Sequence, residues 1–280
     1  MKKLDLLDIK TDYVFKKVFT HNQKTFIDFI NCVLNYPEKQ KIKSIEFLNN
    51  ELTKDSEMDK ESKLDIIARL NDNSYVNVEM QIQNTGEYEK RSLYYWAKLY
   101  ETQLQKTQNY KVLYPAICIN ILNFNFFKNS ADYNSELAIF KVQTMERIYS
   151  DFKIIFLEIP KVKKKFYNDL DKWMQFFNGA SKEEINTMNN SAIKQAYETL
   201  EYISQDPAER ARYEARRKYQ LDYNTGMLTA REEGKEEGKE EGIEIEKRAN
   251  IKQMLKLNLP IEQIAEISRL SVEEVCALKS

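Results

Sequence analysis

Two carboxylates, Asp65 and Glu79, stand in apolar surroundings on either side of a run of turn formers, Asn71, Asp72, Asn73 and Ser74. An acid set beside Leu64, Ile66 and Ile67, or between Val78 and Met80, gains nothing from such neighbours unless a cation or a proton is shared. The flanking runs are rich in Val, Ile and Leu, so residues 63–83 are expected to form an antiparallel hairpin. With the loop centred on Asp72, residues equidistant from it face one another. This sets Asp65 opposite Glu79 and Lys63 opposite Gln81. Directly opposed Cβ atoms are about 4.5–5.5 Å apart, close enough for two carboxylates to hold one divalent cation. Period-2 alternation puts Val76, Val78, Met80 and Ile82 on a core face and Asn77, Glu79, Gln81 and Gln83 on a site face. A hairpin with one wet face, its acids merely solvated, is the other reading of these residues.

Charged groups elsewhere can complete such a site. Thr11 and Asp12, ahead of Tyr-Val-Phe-Lys-Lys-Val-Phe, mark a helix start, where an acid interacts favourably with the helix dipole. Lys16 follows Asp12 by one turn on the same face. Arg91 and Tyr95 are one turn apart on a helix expected over 87–106, and could face the polar side of the hairpin. A guanidinium holds phosphate bidentately, and a phenol donates to a non-bridging oxygen. Packing on the helix surface is the alternative for both.

Taken in order, Thr11-Asp12-Tyr-Val-Phe-Lys-Lys-Val-Phe19, Lys63-Leu-Asp-Ile66, Val78-Glu-Met-Gln-Ile82 and Arg91-Ser-Leu-Tyr-Tyr95 resemble the recombination-promoting nuclease and transposase branch of the PD-(D/E)XK nuclease superfamily. The resemblance spans about residues 8–160, and the Gly-Glu-Lys repeat and final helices are similar to that family's tail. It implies metal-dependent hydrolysis of DNA phosphodiester bonds, with Mg2+ or Mn2+ held by Asp65 and Glu79. An acid on the first helix often completes such sites, which is the role it implies for Asp12. The superfamily pattern ends in Lys, whereas position 81 is Gln, as Glu-x-Gln also occurs in the branch it resembles, and an amide orients water but carries no charge. Lys63, opposite Gln81, is a substitute cation on register alone; an ordinary strand-edge lysine is the other reading. The candidate catalytic set is therefore Asp65, Glu79, Gln81, Lys63 and Asp12, with Arg91, Tyr95 and Lys16 as substrate contacts. Recombination, transposition and mobile-element or defence processes fit such an endonuclease, and a non-catalytic DNA-binding or regulatory protein retaining the fold is the alternative.

Absences narrow the chemistry. His21 is the only histidine, so a His base, triad or ligand pair has almost no material. Cys32, Cys118 and Cys276 lie far apart without Cys-x-x-Cys spacing and read as buried thiols in a reducing compartment. No Gly-rich nucleotide-binding motif occurs. The net charge of -1 gives no global attraction to nucleic acid, so any DNA surface must be a local array of Lys and Arg. Met1-Lys-Lys is not followed by an apolar run, and no stretch is long and apolar enough for a membrane span, so a cytoplasmic protein is expected.

The expected fold is α/β, a restriction-endonuclease-like mixed sheet flanked by helices, with an all-helical C-terminal extension. Helical periodicity in Phe26, Phe29, Ile30, Val33 and Leu34 ends before Pro37, and strands are expected near 42–48, within 112–127 and over 153–159. On the 87–106 helix, Leu93, Trp96, Leu99, Tyr100 and Leu104 carry the apolar spacing. Residues 1–160 read as the nuclease-like domain and 161–225 as a helical extension bearing Phe166, Leu170, Trp173, Phe176 and Phe177. Its basic stretch with Arg212, Arg216 and Arg217 reads as a solvated face rather than a DNA contact. Residues 226–250, with Gly234, Gly238 and Gly242, read as a hinge or helix, the glycine stripe offering a helix-helix contact. Residues 251–280 form a small helix-turn-helix-like tail with Ser271 as N-cap and few cations, which suits a homodimer or another protein contact better than a DNA groove.

Overall fold

The computed structural model describes residues 5–48, 65–84, 86–163 and 165–278. Two amphipathic helices, α1 (Asp12–His21) and α2 (Gln23–Leu34), precede a short strand β1 (Ile45–Phe47) and the hairpin of β2 (Ile66–Leu70) and β3 (Tyr75–Gln81). Ile66 pairs with Val78, Ile67 with Asn77 and Ala68 with Val76, each pair equidistant from Asp72 as the turn residues require. The turn is closed by Asp72, whose Oδ1 accepts from the Ser74 N–H at 2.9 Å and its hydroxyl at 2.6 Å. Asn73 takes the left-handed conformation (φ 68°) that Asn tolerates better than most residues.

Helix α3 (Tyr88–Glu101) crosses to β4 (Ala116–Leu122), which lies parallel to β3. Strands β5 (Asn134–Lys141) and β6 (Glu146–Glu158) complete a six-stranded sheet of order β1-β2-β3-β4-β6-β5. β4 and β6 are parallel, and the remaining pairs are antiparallel. β5 was not expected. Its sequence, Asn-Ser-Glu-Leu-Ala-Ile-Phe-Lys, belongs to an edge strand largely open to solvent, where one-sided burial leaves a weak apolar signal.

The sheet is covered by helices on both faces, as expected of a flanked mixed sheet, so the reading of the hairpin as having one wet face does not hold. Val76, Val78 and Met80 do pack with Ile117, Ile119 and the α1 and α2 side chains. The opposite face is closed by α3 over Ile67, Cys118, Ile154 and Phe156, so Asn77 and Glu79 are 0% and 4% exposed. A central strand with a parallel neighbour is buried on both sides. Ile82 lies past the end of β3 and is exposed. So is Leu93, which faces away from the sheet on α3.

Beyond β6, the helices α4 (Asp169–Phe177), α5 (Lys182–Thr187) and α6 (Ser191–Gln205) continue the main core. Trp173 and Phe177 are fully buried, with ring centroids 5.5 and 5.9 Å from Phe19, and Phe177 is 5.5 Å from Phe29. The boundary expected at 160/161 therefore falls inside one hydrophobic core rather than between a domain and an extension. The chain divides later, into two compact units, Met1–Tyr213 and Glu214–Ser280.

Helix α7 (Pro207–Lys256) begins in the first unit, where Glu209 accepts from the Tyr13 hydroxyl and from Lys17 at 3.1 Å. It runs without a break through Gly234, Gly238 and Gly242, although each glycine costs a helix about 1 kcal/mol. Nothing in the described residues lies within 4 Å of where a Cβ would sit on these glycines. In the second unit, the helix expected at 249–257 is the end of α7. It packs Ile251 against Ile264, Ala265 and Val275 of α8 (Ile261–Ser268) and α9 (Val272–Ala277). Ser271 caps α9 in a capping box with Glu274. The three cysteines differ from the expectation of uniform burial: Cys118 is buried, Cys32 half-buried and Cys276 exposed. No helix among the described residues is long and apolar enough to cross a membrane.

Candidate functional site

The hairpin register brings the two acids into contact through their backbones. Asp65 stands one residue before β2, and its N–H donates to Glu79 Oε1 at 3.2 Å. The Met80 N–H in turn donates to Asp65 Oδ2 at 2.9 Å. Glu79 Oε1 also accepts from the Asn77 amide at 3.2 Å, two residues along the same strand face. Each carboxylate then meets a cation from a different helix. Lys16 Nζ of α1 lies 3.3 Å from Asp65 Oδ1, and Arg91 Nη2 of α3 lies 3.8 Å from Glu79 Oε2.

Arg91 is fixed by more than this ion pair. Its Nη2 donates to Gln81 Oε1 at 2.6 Å, and its guanidinium lies over the rings of Tyr88 and Tyr95, 4.9 and 5.5 Å from their centroids. Tyr88 is itself held, its hydroxyl donating to Asn120 Oδ1 at 3.0 Å inside the second core. The i, i+3 and i, i+4 spacings of Tyr88, Arg91 and Tyr95 place all three side chains on one face of α3.

Burial dominates the electrostatics. It pushes the Asp65 carboxyl above its ordinary range; Lys16 and the Met80 N–H oppose the shift, and the nearby Asp12 charge adds to it. Glu79 is pushed up to about 7, first by burial and then by the Asp65 charge, with Asn77 and Arg91 pulling the other way. Burial also raises the Tyr95 hydroxyl. Two buried acids whose ionisation is incompletely balanced offer hard oxygen donors to a divalent cation. Mg2+ is commonly held by one or two carboxylates while keeping waters and substrate phosphate oxygens, so this pair fits such an ion. Among the described residues no group of three His, Cys, Asp or Glu side chains could hold a metal.

Of the residues singled out in the sequence, Asp65, Glu79, Gln81, Lys16, Arg91 and Tyr95 come together here. Asp12 sits exposed in the first turn of α1, near enough for its charge to act on Asp65. Lys63 lies outside the described residues. Arg212 pairs with Glu209 at 3.1 Å and Arg217 with Glu214 at 3.8 Å. Asn77 was read only as lying on the site face, and Tyr88 and Asn120 were not singled out. The available signal was an amide inside each of two apolar strands, since a buried amide must find hydrogen-bond partners.

Searches of curated proteins and of solved structures gave no significant match. A family model described as PD-(D/E)XK nuclease family transposase matches residues 9–230, which takes in the whole sheet, the paired acids and the helices of the main core. With the match covering well over half of its length, the chain belongs to the PD-(D/E)XK nuclease family transposases.

Proposed function

We propose that the chain is a Mg2+- or Mn2+-dependent DNA endonuclease that hydrolyses phosphodiester bonds, with Asp65 and Glu79 as the metal-holding pair. Family membership supports a nuclease- or transposase-type function on DNA, and PD-(D/E)XK nucleases generally use divalent metal ions. The observation that carries the reading is the buried pair Asp65 and Glu79, linked by the Asp65 N–H to the Glu79 carboxylate, each facing a cation from a separate helix. A divalent ion bound there supplies Lewis-acid stabilisation of the phosphate and acidifies an attacking water.

The protein's own groups surround that position with preorganised charge. Lys16 balances Asp65 and holds its orientation from α1. Arg91, stacked on two rings, presents donors to a non-bridging phosphate oxygen without having to be ordered on binding. Tyr95 stays a neutral phenol, because burial raises its pKa, and so remains a donor. Asp12, exposed in the first turn of α1, is the acid we assign to orienting a water at the edge of the site.

Incubation of the purified chain with supercoiled plasmid, in Mg2+ or Mn2+ and in EDTA, tests the reading. Metal-dependent nicking lost in Asp65→Ala and in Glu79→Ala is expected; nicking retained by either variant, or equal nicking in EDTA, would rule the pair out. Gln81 in the place of lysine favours the second reading, a DNA-binding or regulatory protein, whose signature is DNA binding without cleavage under any metal.

A further inference from the structure

The superfamily pattern ends in a lysine, yet position 81 is an amide, and both ends of that amide are engaged. Gln81 Oε1 accepts from Arg91 at 2.6 Å, and Nε2 donates to the Gln83 carbonyl at 2.9 Å. Gln81 is thus a bracket for the guanidinium rather than a free group orienting water. Arg91 in turn spans the strand face from Gln81 to Glu79, 3.8 Å from the latter's Oε2. Its Nε is buried and has no hydrogen-bond partner. An unpaired N–H on a guanidinium that lies beside Glu79 and is clamped by two aromatic rings leaves Arg91 with donor capacity for an oxyanion.

Resting on the nuclease reading, we infer that Arg91 carries the positive charge that the superfamily pattern places on the strand, and that Gln81 is its positioning residue. The cation has moved from β3 to α3, and the strand residue has become neutral because of it. A lysine at position 81 would bring an ammonium against the guanidinium, and like charges at this distance repel strongly when half-buried. The pair Gln81 and Arg91 is therefore expected to behave as an exchangeable unit, in which one position carries the charge and the other accepts from it.

The test uses the full chain with Gln81→Lys, Arg91→Gln and the double variant. Melting temperature in EDTA is the first measurement, and single-turnover cleavage of duplex DNA with Mg2+ or Mn2+ is the second. Gln81→Lys alone is expected to melt below wild type and the double variant above Gln81→Lys. Cleavage is expected to fall by roughly 10²-fold or more in Arg91→Gln, the scale for losing one preorganised donor. The double variant is expected to recover most of that loss, because the charge is restored on the strand. A double variant that cleaves no faster than Arg91→Gln, or a Gln81→Lys variant that melts and cleaves like wild type, would overturn the inference. The melting comparison needs neither metal nor DNA. A wild-type chain that cleaves nothing would overturn the nuclease reading and the catalytic role of Arg91, while the melting order would still decide whether the two side chains form one unit.

Discussion

Removing the charge from Glu79 should make the metal-free protein more stable at alkaline pH while abolishing the activity proposed for it. Burial and the adjoining Asp65 charge raise the Glu79 carboxyl from 4.5 to about 7. Because the folded-state value is above the unfolded one, the protonated acid favours the fold. This contribution is complete below the unfolded value and is lost as the pH climbs through about 7. At about 1.4 kcal/mol per pH unit, the ionised acid then costs the metal-free chain about 3 kcal/mol. Asp65, raised for the same first cause, acts in the same direction.

Glu79→Gln keeps an oxygen for the Asp65 N–H and the Asn77 amide but carries no charge to desolvate. Urea unfolding in EDTA should therefore find the variant more stable than wild type by up to about 3 kcal/mol near pH 8.5, with the gap closing near pH 5. Millimolar Mg2+ should narrow the alkaline gap by stabilising wild type alone, since a ligand that binds only the folded state adds about 2.7 kcal/mol at a hundredfold excess over its Kd. Equal stability of the two proteins near pH 8.5, or a gap of the same size near pH 5, would refute the account of Glu79 as a strained, ionisable acid.

Asp65→Ala should lose metal-dependent nicking yet remain folded, as circular dichroism and a cooperative melt would show, because the residue precedes β2 rather than filling the core. Trp173→Ala should cost about 3–5 kcal/mol in denaturant unfolding, the range for truncating a fully buried large side chain; a cost below about 1 kcal/mol would mean that α4 is dispensable to the core. Deleting residues 226–280 should leave single-turnover cleavage intact while changing assembly or DNA engagement, since the proposed site residues all precede position 100. A folded truncation that binds DNA normally but cannot cleave would show that the tail completes the site.

The hairpin and its register were legible because they depend on local chemistry: four turn formers, period-2 alternation, and a centre on Asp72 that the pairing of Ile66 with Val78 reproduces. The helix that carries Arg91 and Tyr95 was legible for the same reason. Its spacing placed the two side chains one turn apart, and Arg91 now meets Glu79 while lying over the Tyr95 ring. What the chain did not disclose locally was what covers what. The apolar stripe of Leu170, Trp173 and Phe177 was visible, but that it packs on Phe19 and Phe29 depends on contacts far apart in sequence. The long β6 was read only in its buried second half, because its first half and β5 support one another as a solvent-exposed pair.

The least legible feature was the location of the positive charge. On the hairpin alone, Gln81 reads as a missing lysine, and the register makes Lys63 the natural replacement. Tertiary packing supplies a different cation. Tyr88 is anchored to Asn120, and the ring of Tyr88 and the amide of Gln81 together seat Arg91 beside Glu79. Tyr88, Asn120 and Gln81 are all neutral, so only the Glu79 contact of Arg91 leaves a trace as opposite charges in the sequence. The neutral residue at position 81 follows from it: with a guanidinium already held over the strand, an acceptor stabilises the site where a second cation would repel it. A departure from the superfamily pattern at one position can thus be the counterpart of a residue on another element, and only the sheet-to-helix packing shows which.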